Sequence, residues 1–447
     1  MALSGIQIYK LLPRTNCKDC GFPTCLAFAM KLAAKQVDLA LCPHVSEESQ
    51  AELSESAAPP IRLVALSSNG HEVKAGNEVV LFRHEKTFYN MPGLFIRIRD
   101  DEPAGQIKEK VTAANAYKVN YVGIDLVLDG FAVESVSNDP ATFAGVVADV
   151  RAISGRPLLL VSRNPEVIAK GIEAAGSDGV MICTADESNV DEMAALAAAN
   201  KVSLAVTAGS MEDLAAFTET VKSKGVEDLV LDPGARDFSS MLAYSTQIRR
   251  LALKKNFKPL GYPIITFPGD AGDAPRESML AAQAIAKYAG FIVLDHFAPE
   301  HVYPLLVLRQ NIYTDPQKPI QVQPGIYEIN NPGPSDPLLI TTNFSITYFS
   351  VANEVEGAGL PAWLLVTDAE GMSVLTAWAA GKFDSERIAK DVKQFGAIDK
   401  IDRKRIIIPG HVAVLSGELE EELPGWEIRV GPREAVDLPA YLKQALG

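Results

Sequence analysis

With 447 residues, 47% of them hydrophobic, the chain is long enough for two or three well-buried domains. Its net charge of −14 argues against nucleic acid as a partner, because phosphate contacts require clustered basic side chains. No apolar run approaches the roughly 18 residues of a membrane helix, and residues 1–14 lack a secretory signal, so we expect a cytoplasmic protein without a membrane segment.

The first feature in chain order is a four-cysteine motif. Its members follow the spacing C-x2-C-x4-C-x16-C: Cys17, Cys20, Cys25 and Cys42. Four thiolates are the ligand set of a 4Fe–4S cluster, and Gly21 and Pro23 suit a tight loop that supplies three of them. A structural zinc site is the alternative, although such sites more often pair two short cysteine hooks. The motif therefore predicts an iron–sulfur cluster and, with it, electron transfer.

A polar stretch that ends in Pro59 and Pro60 separates this first domain, residues 1–58, from a long repetitive region. Residues 59–313 alternate short β-branched runs with Ala-rich helical runs, which predicts a parallel sheet covered by helices. The number and regularity of the units favour a closed (β/α)8 TIM-like barrel. We expect the first few strands, 79–83 among them, to form a lid or an extra hairpin.

Few side chains in the barrel region suggest chemistry. Four aspartates lie at or near predicted strand ends: Asp125, Asp129, Asp232 and Asp295. Barrel enzymes build their active sites there, but carboxylates in loops are usually only solvated. His296 and His301 are better interpreted as structural histidines, because no second catalytic motif accompanies them.

Six prolines in residues 314–337 predict an irregular linker, because proline lacks a backbone donor and breaks regular elements. Beyond the linker, residues 338–447 alternate strands and helices again. This alternation predicts a small doubly wound α/β domain of Rossmann-like or flavodoxin-like type. The chain is thus expected to be an α/β protein with a cluster domain, a barrel and a smaller C-terminal domain.

Three glycine-containing turns follow predicted strands of the last domain, at residues 367–374, 409–413 and 431–435. The carboxyl ends of parallel strands share one edge of a sheet, where free backbone N–H groups hold carbonyls, amides or a phosphate. Three such turns predict a broad cradle for a large flat ligand, although every fold of this class has similar turns. The hydroxyl-rich residues 341–348 fit either ligand contacts or an ordinary polar edge strand.

The cysteine motif, with Gly21-Phe22-Pro23 between its ligands, resembles the small 4Fe–4S domain of corrinoid iron–sulfur proteins. The order of cluster domain, barrel and α/β domain resembles, over the full length, the large subunits of that family in the acetyl-CoA (Wood–Ljungdahl) pathway. The resemblance implies a methyl carrier. In that family cob(I)amide accepts a methyl group from methyltetrahydrofolate, held by a separate methyltransferase, and donates it to the nickel centre of acetyl-CoA synthase.

The resemblance also implies cofactors and partners. The cofactors are a base-off corrinoid (a cobamide) and a 4Fe–4S cluster that reduces Co(II) back to Co(I). The partners are a small subunit that completes a heterodimer, the methyltetrahydrofolate methyltransferase, acetyl-CoA synthase/CO dehydrogenase and a reductive activator. Base-off binding agrees with the absence of an Asp-x-His-x-x-Gly motif, since the last domain has only His411.

Carried over by position, the resemblance assigns the four cysteines to the cluster and two ranks of residues to the corrinoid. The first rank is Thr341, Thr347, Gly371, Met372, Ser373, Val374 and Glu434. The second rank is Thr342, Gly410, Ala413, Gly431 and Arg433. No catalytic side chain is expected, because cobalt is the nucleophile. Two alternatives stay open: an electron-transfer subunit whose α/β domain binds flavin, and a barrel that itself binds the folate.

Overall fold

The computed structural model of the chain describes residues 4–34, 36–46, 49–50, 53, 59–121, 124–315 and 320–446. It divides into two compact units, Met1–Tyr117 with Leu128–Tyr313 and Lys118–Val127 with Thr314–Gly447. The end of the predicted cluster domain, residues 54–58, and residues 316–319 of the predicted linker lie outside the described residues.

Two helices and one 3-10 turn shape the described N-terminal region: α1 (Gly5–Leu11), α2 (Cys25–Ala33) and the turn Leu39–Leu41. Helix α1 begins with a capping box, in which Ser4 and Gln7 each accept a hydrogen bond from the other's backbone amide. Helix α2 begins at Thr24, whose hydroxyl accepts from the Ala27 amide. The helices share a small apolar core that includes the buried ring of Phe28.

The elements of the central region are, in chain order, β1 (Val64–Ser68), β2 (His71–Ala75), β3 (Gly93–Arg99), α3 (Ala104–Ala116), β4 (Lys118–Tyr121), β5 (Ile124–Val127), β6 (Gly130–Glu134), α4 (Pro140–Ile153), β7 (Leu158–Val161), α5 (Pro165–Ala175), β8 (Val180–Ala185), α6 (Val190–Asn200), β9 (Ser203–Thr207), α7 (Met211–Ser223), β10 (Leu229–Asp232), α8 (Phe238–Lys255), β11 (Ile264–Thr266), α9 (Ala274–Ala286), β12 (Ala289–Leu294) and α10 (Pro299–Ile312). Eight parallel strands close into a barrel in the order β3-β6-β7-β8-β9-β10-β11-β12. The predicted (β/α)8 TIM-like barrel is confirmed.

An antiparallel hairpin of β1 and β2 closes the amino end of the barrel. Side chains from both of its strands join the barrel's interior core: Val64, Leu66, Val73 and Ala75. Gly93 and Gly290, at the amino ends of β3 and β12, leave room for it, since a Cβ on either would come within 2.7 Å of Val73 or Ala75. The expected extra hairpin is therefore present, but residues 79–83 form no strand.

The elements of the C-terminal region are β13 (Gly325–Ile329), β14 (Leu338–Thr342), α11 (Ser345–Gly357), β15 (Ala362–Thr367), α12 (Val374–Ala379), α13 (Ser385–Gln394), α14 (Ala397–Lys400), β16 (Arg405–Ile408), a 3-10 turn (Gly410–Leu415), α15 (Ser416–Glu422), β17 (Glu427–Val430) and α16 (Leu438–Leu446). The sheet runs β13-β15-β14-β16-β17, with β13 antiparallel and the other neighbours parallel. Helices α11 and α16 cover one face, and α12, α13 and α15 cover the other. This confirms a doubly wound domain.

The strand order of this sheet locates its ligand-binding edge. Without β13, the strand order is flavodoxin-like. The chain crosses from β14 to β15 on one side and later adds β16 and β17 on the other side, so the connections change direction between β14 and β16. Ligands of such sheets bind at the carboxyl ends of the strands, beside that reversal. The antiparallel hairpin of β4 and β5 belongs to the same unit, and its Tyr121 packs against the core beneath α11 and α16.

For this region one expectation is wrong, and one of two open alternatives is excluded. The six prolines predict no regular element in 314–337, yet residues 325–329 form strand β13, because Pro324 and Pro332 flank it instead of interrupting it. Residues 341–348 are not a polar edge strand, since β14 ends at Thr342 in the middle of the sheet and α11 begins at Ser345. None of the helices in the described ranges is long and apolar enough to cross a bilayer.

Candidate functional site

The first candidate site is the group of four cysteines. Three lie on the loop that ends at the start of α2, and Cys42 follows the 3-10 turn. The loop is unusually curled, with left-handed backbone at Asn16, Lys18 and Gly21. The Asn16 side chain secures it by accepting a 2.8 Å hydrogen bond from the Cys25 amide. Such a loop can wrap three thiols around one centre.

The four thiols differ in burial and interact through their charges. Cys25 and Cys42 are buried in the small N-terminal core, Cys20 is half-buried and Cys17 is exposed. Burial raises the pKa of the Cys42 thiol, and the negative charges of the other three cysteines raise it further. A metal cluster would oppose this rise in the pKa of Cys42, because the positive charge of the metal ions stabilises thiolates. The donor set therefore fits an iron–sulfur cluster.

An exposed hydrogen bond between His44 and Asp19 borders the cysteine group. His44 Nε2 lies 2.6 Å from Asp19 Oδ2, and ligand atoms of Cys17, Asp19 and His44 lie within 4.8 Å of one another. Hydrogen bonds from His44 and from the Cys17 thiol lower the pKa of the Asp19 carboxyl. The sequence argument did not include either residue, because neither belongs to the cysteine spacing.

The second candidate site is a cavity of about 790 Å³ at the carboxyl edge of the C-terminal sheet, beside the β14/β16 reversal. Seven of the twelve residues predicted to contact a ligand line it: Thr341, Thr347, Ser373, Val374, Gly431, Arg433 and Glu434. The other five do not line it: Thr342, Gly371, Met372, Gly410 and Ala413. The three turns therefore meet at one edge, as expected, but they do not all face the cavity.

Thr341 is the lining residue whose buried side chain lacks a hydrogen-bond partner. Its hydroxyl is buried and has no hydrogen-bond partner, although buried polar groups nearly always have one. Thr341 lies on the face of β14 that α11 and α16 cover, together with Leu339. The Thr342 hydroxyl is also buried and unpartnered, but it points to the opposite face and does not line the cavity.

Gly410 keeps two of the turns in direct contact without facing the cavity. Its amide donates a 3.0 Å hydrogen bond to the Pro432 carbonyl, and the Gly431 amide donates a 2.9 Å bond to the Ile408 carbonyl. A Cβ on Gly410 would lie 2.6 Å from the Gly431 carbonyl oxygen, so only glycine fits. The position thus shapes the cradle through backbone packing.

Sequence reasoning missed most of one wall of the cavity. Helix α11 contributes seven residues to that wall, of which only Thr347 was predicted. The other six are Ile346, Phe349, Ser350, Val351, Asn353 and Glu354. The signal was available, because Tyr348, Ala352 and Val355 recur at helical spacing and face the core. His411 also lines the cavity, with its Nε2 3.9 Å from Glu434 Oε1.

The carboxyl end of the barrel differs from this cavity. Buried Arg97 pairs with Asp270 at 2.6 Å, Asp295 at 3.2 Å and Glu134 at 3.4 Å. A second arginine, Arg236, also pairs with Asp270, at 2.8 Å. A cavity of about 370 Å³ lies here, and four of these paired side chains line it: Arg97, Glu134, Arg236 and Asp270. The barrel mouth is therefore held together largely by its own ion pairs.

The remaining barrel candidates also have partners. Asp129 accepts from the Leu94 amide and pairs with Arg309, while Asp232 pairs with Arg236 at 2.7 Å. The ring of His296 lies 2.5 Å from Glu277, whose other oxygen accepts from the Asp295 amide. Asp125 forms an exposed pair with Lys118. These contacts agree with structural roles.

The fold and the four-cysteine motif together define an iron–sulfur protein that carries a barrel and a doubly wound domain with a cavity at its strand ends. A family model described as CO dehydrogenase/acetyl-CoA synthase delta subunit matches residues 63–442, and a model for an Fe–S cluster matches residues 12–44.

Relatives match over the full length. The chain is 43% identical to the corrinoid/iron-sulfur protein large subunit of Moorella thermoacetica, over 100% of each chain. It is 34% identical to the acetyl-CoA decarbonylase/synthase complex subunit gamma of Methanopyrus kandleri, over 99% of this chain and 98% of the relative. The chain therefore belongs to the family of corrinoid/iron–sulfur protein large subunits.

Among solved structures, dihydropteroate synthase from Thermus thermophilus is similar to 55% of this chain and 98% of its own, at 16% identity and a TM-score of 0.38. At that score the likeness adds nothing to the barrel assignment, which the strand pairing already establishes.

Proposed function

We propose that this chain is a methyl carrier in acetyl-CoA synthesis, with a corrinoid bound at the β14/β16 edge. The observation that carries the proposal is the cavity at that edge, with the unpartnered Thr341 hydroxyl inside it. Family membership and the four-cysteine motif in the same chain support it. When bound, the corrinoid supplies the cobalt that carries the methyl group, and the cluster supplies the electron that restores reduced cobalt.

The residues around the cavity suit a corrinoid held base-off. Hydroxyl groups of Thr347 and Ser373 on the rim can hydrogen-bond the amide groups of a corrin ring. Behind the rim, Leu339, Val351 and Leu438 line a deeper part between the sheet and the α11/α16 layer. That part can receive a nucleotide tail that has left the cobalt. We propose the twelve residues of the sequence assignment as the cradle, with the seven that line the cavity in direct contact.

We propose a 4Fe–4S cluster on Cys17, Cys20, Cys25 and Cys42. One thiolate for each iron is the usual ligation of that cluster type. The curled loop supports this choice over two separate zinc hooks, because it gathers three ligands within nine residues. We also propose that the cluster domain spans residues 1–58, the barrel 59–313, the linker 314–337 and the corrinoid domain 338–447.

The proposal includes the partners that methyl transfer requires. These are a small subunit in a heterodimer, a methyltetrahydrofolate methyltransferase, acetyl-CoA synthase/CO dehydrogenase and a reductive activator, all in the cytoplasm. The names of the archaeal relatives, which refer to an acetyl-CoA decarbonylase/synthase complex, support the acetyl-CoA synthase partner. At the barrel mouth, Asp270 already pairs with Arg97 and Arg236. These pairs support the proposal that a separate methyltransferase, and not this barrel, holds the folate.

A methyl-transfer assay tests the function directly. The protein is loaded with cobalamin, chemically reduced under anaerobic conditions and mixed with methyltetrahydrofolate, with or without methyltransferase. We expect the methylated cofactor to appear in the absorption spectrum only when methyltransferase is present. Methylation without the added enzyme would assign catalysis to this chain's own barrel, and no methylation in either mixture would refute the carrier role.

A flavin-binding electron-transfer subunit is the second candidate, and the flavodoxin-like strand order favours it specifically. Cofactor-free protein titrated with hydroxocobalamin and with FMN, separately and in competition, distinguishes the two. We expect cobalamin to bind and FMN not to displace it. Saturable FMN binding that excludes cobalamin would favour the flavin subunit.

A further inference from the structure

Asn343 is a buried side chain directly after β14 whose hydrogen-bonding groups are all engaged. Its Oδ1 accepts from the amides of Ala369, at 2.9 Å, and Gly371, at 3.0 Å. Its Nδ2 donates to Gln321 Oε1 at 3.1 Å and to Asp368 Oδ1 at 3.2 Å. Only 1% of the residue is exposed, and it does not line the cavity. The side chain therefore connects the ends of two adjacent strands, β14 and β15.

The turn that Asn343 holds does not have an easy backbone conformation. Glu370 and Gly371 both have left-handed backbone, with φ of 54° and 73°. Glu370 adopts this region at a cost that glycine avoids. Its amide donates to Asp368 Oδ1 at 3.1 Å, so three successive amides of the turn bond to Asn343 and Asp368. Without these bonds, the turn has little reason to keep this shape.

Gln321 supports the same turn from its other side. A Cβ on Gly371 would lie 2.9 Å from the Gln321 side chain, so the two pack closely. The backbone beside Gln321 is tied to Asn343 as well, because the Val322 amide donates a 2.9 Å bond to the Asn343 carbonyl. Gln321 thus orients the Asn343 carboxamide, which in turn holds the amides of Ala369 and Gly371.

The held turn leads directly into the cavity wall. The Met372 amide bonds back to the Ala369 carbonyl, and the next two residues, Ser373 and Val374, line the cavity. Thr341, two residues before Asn343, lines the same cavity from β14. The Asn343 carboxamide therefore fixes the distance between two walls of the cavity, one formed by Ser373 and Val374 and the other by Thr341. A ligand that contacts both walls depends on this distance.

We propose that Asn343, oriented by Gln321, is a positioning residue for the corrinoid cradle. It sets the wall formed by Ser373 and Val374 relative to Thr341 and does not touch the cofactor itself. The inference rests on the proposed function for the identity of the ligand. Loss of the carboxamide should let the turn relax, so that the cofactor binds more weakly although its contact residues are unchanged.

The test compares Asn343→Ala with Asn330→Ala in the full-length protein. Asn330 is the control, because its Nδ2 donates to the carbonyls of Val355, Glu356 and Leu360 in the same domain, after the part of α11 that lines the cavity. None of these four residues lines the cavity itself. Hydroxocobalamin affinity, thermal unfolding and amide hydrogen exchange are measured for both variants. Asn343→Ala should weaken affinity about tenfold or more, while Asn330→Ala, with a similar loss of melting temperature, should leave it unchanged.

A milder variant and hydrogen exchange make the outcome decisive. Gln321→Ala removes one partner of Asn343 Nδ2 and leaves the acceptor for the two turn amides in place, so its affinity should fall between wild type and Asn343→Ala. In cofactor-free Asn343→Ala, exchange should accelerate at residues 369–374. Equal affinity losses in both alanine variants, or unchanged exchange in the turn, would overturn the positioning role. Wild-type protein that binds no cobalamin would refute the proposed function, and the exchange result would still decide whether Asn343 holds the turn.

Discussion

The mouth of the barrel and the edge of the C-terminal sheet are both carboxyl ends of parallel strands, but only one looks ready for a large ligand. At the barrel mouth, Arg97 and Arg236 pair with surrounding carboxylates. At the sheet edge, a larger cavity is lined by Thr341, whose buried hydroxyl has no partner. Thr266, at the end of β11, also has a buried hydroxyl without a partner, but it does not line the cavity at the barrel mouth. The proposed site is therefore the place where an unsatisfied group and an open cavity coincide.

The largest expected effect concerns the cluster. Cys20→Ala should lose or alter the iron centre, yet keep bound corrinoid, because the two sites belong to separate compact units. Iron and cobalt content measured together check this. Cys183→Ala is the matched control, since Cys183 is a buried thiol of the barrel core and should leave both metals unchanged. Failure of Cys20→Ala to accept a methyl group even after chemical reduction would contradict the repair role of the cluster.

The next largest effect tests the barrel mouth. Arg97→Ala should destabilise the protein by about 2 kcal/mol, because hydrogen bonds between a buried guanidinium and two carboxylates are lost. Asp270 and Asp295 are partly exposed and keep Arg236 and Arg99 as partners, which limits the loss. Denaturant unfolding of the barrel measures the loss. Corrinoid affinity should not change if the mouth serves only stability. A tenfold drop in affinity with intact folding would assign the mouth a binding role and remove the contrast with the sheet edge.

Acid should weaken the same network. Burial by itself raises the pKa of Asp295, but Arg97 and Arg99 outweigh it, so the folded-state pKa lies below the ordinary value. A carboxylate with a depressed pKa contributes stability above its unfolded pKa of about 3.9, and that contribution disappears as pH falls further. Unfolding free energy should therefore fall more steeply below about pH 4 in wild type than in Arg97→Ala. Equal slopes would show that the pair does not contribute.

Thr341→Val should have two smaller effects, one on the stability of the cofactor-free protein and one on corrinoid affinity. Removal of an unpartnered buried hydroxyl should stabilise cofactor-free protein by about 1 kcal/mol and weaken corrinoid binding about fivefold. Thr342→Val is the matched control, because its hydroxyl is equally buried and unpartnered but does not line the cavity. It should stabilise the protein without affecting affinity. Equal affinity losses in both variants would mean that the cavity does not mark the contact residues.

The smallest expected effect is that of His411→Ala. Because base-off binding without a protein histidine is proposed, this variant should leave the Co(II) electron paramagnetic resonance signal unchanged. Loss of nitrogen hyperfine splitting in the variant would show that His411, which lines the cavity, binds cobalt.

The sequence was sufficient for features with strong periodicity or strong chemistry. Strand–helix alternation predicted the barrel and the doubly wound domain, and cysteine spacing predicted a metal centre. It was insufficient where local composition competes with tertiary context. The prolines of 314–337 argued against any regular element, although residues 325–329 form β13. The hydroxyl-rich residues 341–348 gave no indication that α11 begins at Ser345.

For the candidate cradle, too, the sequence predicted some features, while others depend on tertiary contacts. The glycine turns predicted the correct edge, because strand ends of one sheet lie together. Which turn residues face the cavity depends on side-chain hydrogen bonds from distant positions. The Gly371 amide, a candidate donor to ligand from sequence, bonds to Asn343 instead. No spacing rule along 367–374 contains that contact, since the two residues are 28 positions apart.

The most direct test of the central claim is the metal content of anaerobically purified protein, measured with its absorption spectrum. The account predicts about four irons and one cobalt per chain, with the absorption band of a base-off corrinoid. Iron without cobalt would contradict the carrier role and favour an electron-transfer subunit. Zinc in place of iron would contradict the assignment of the four cysteines.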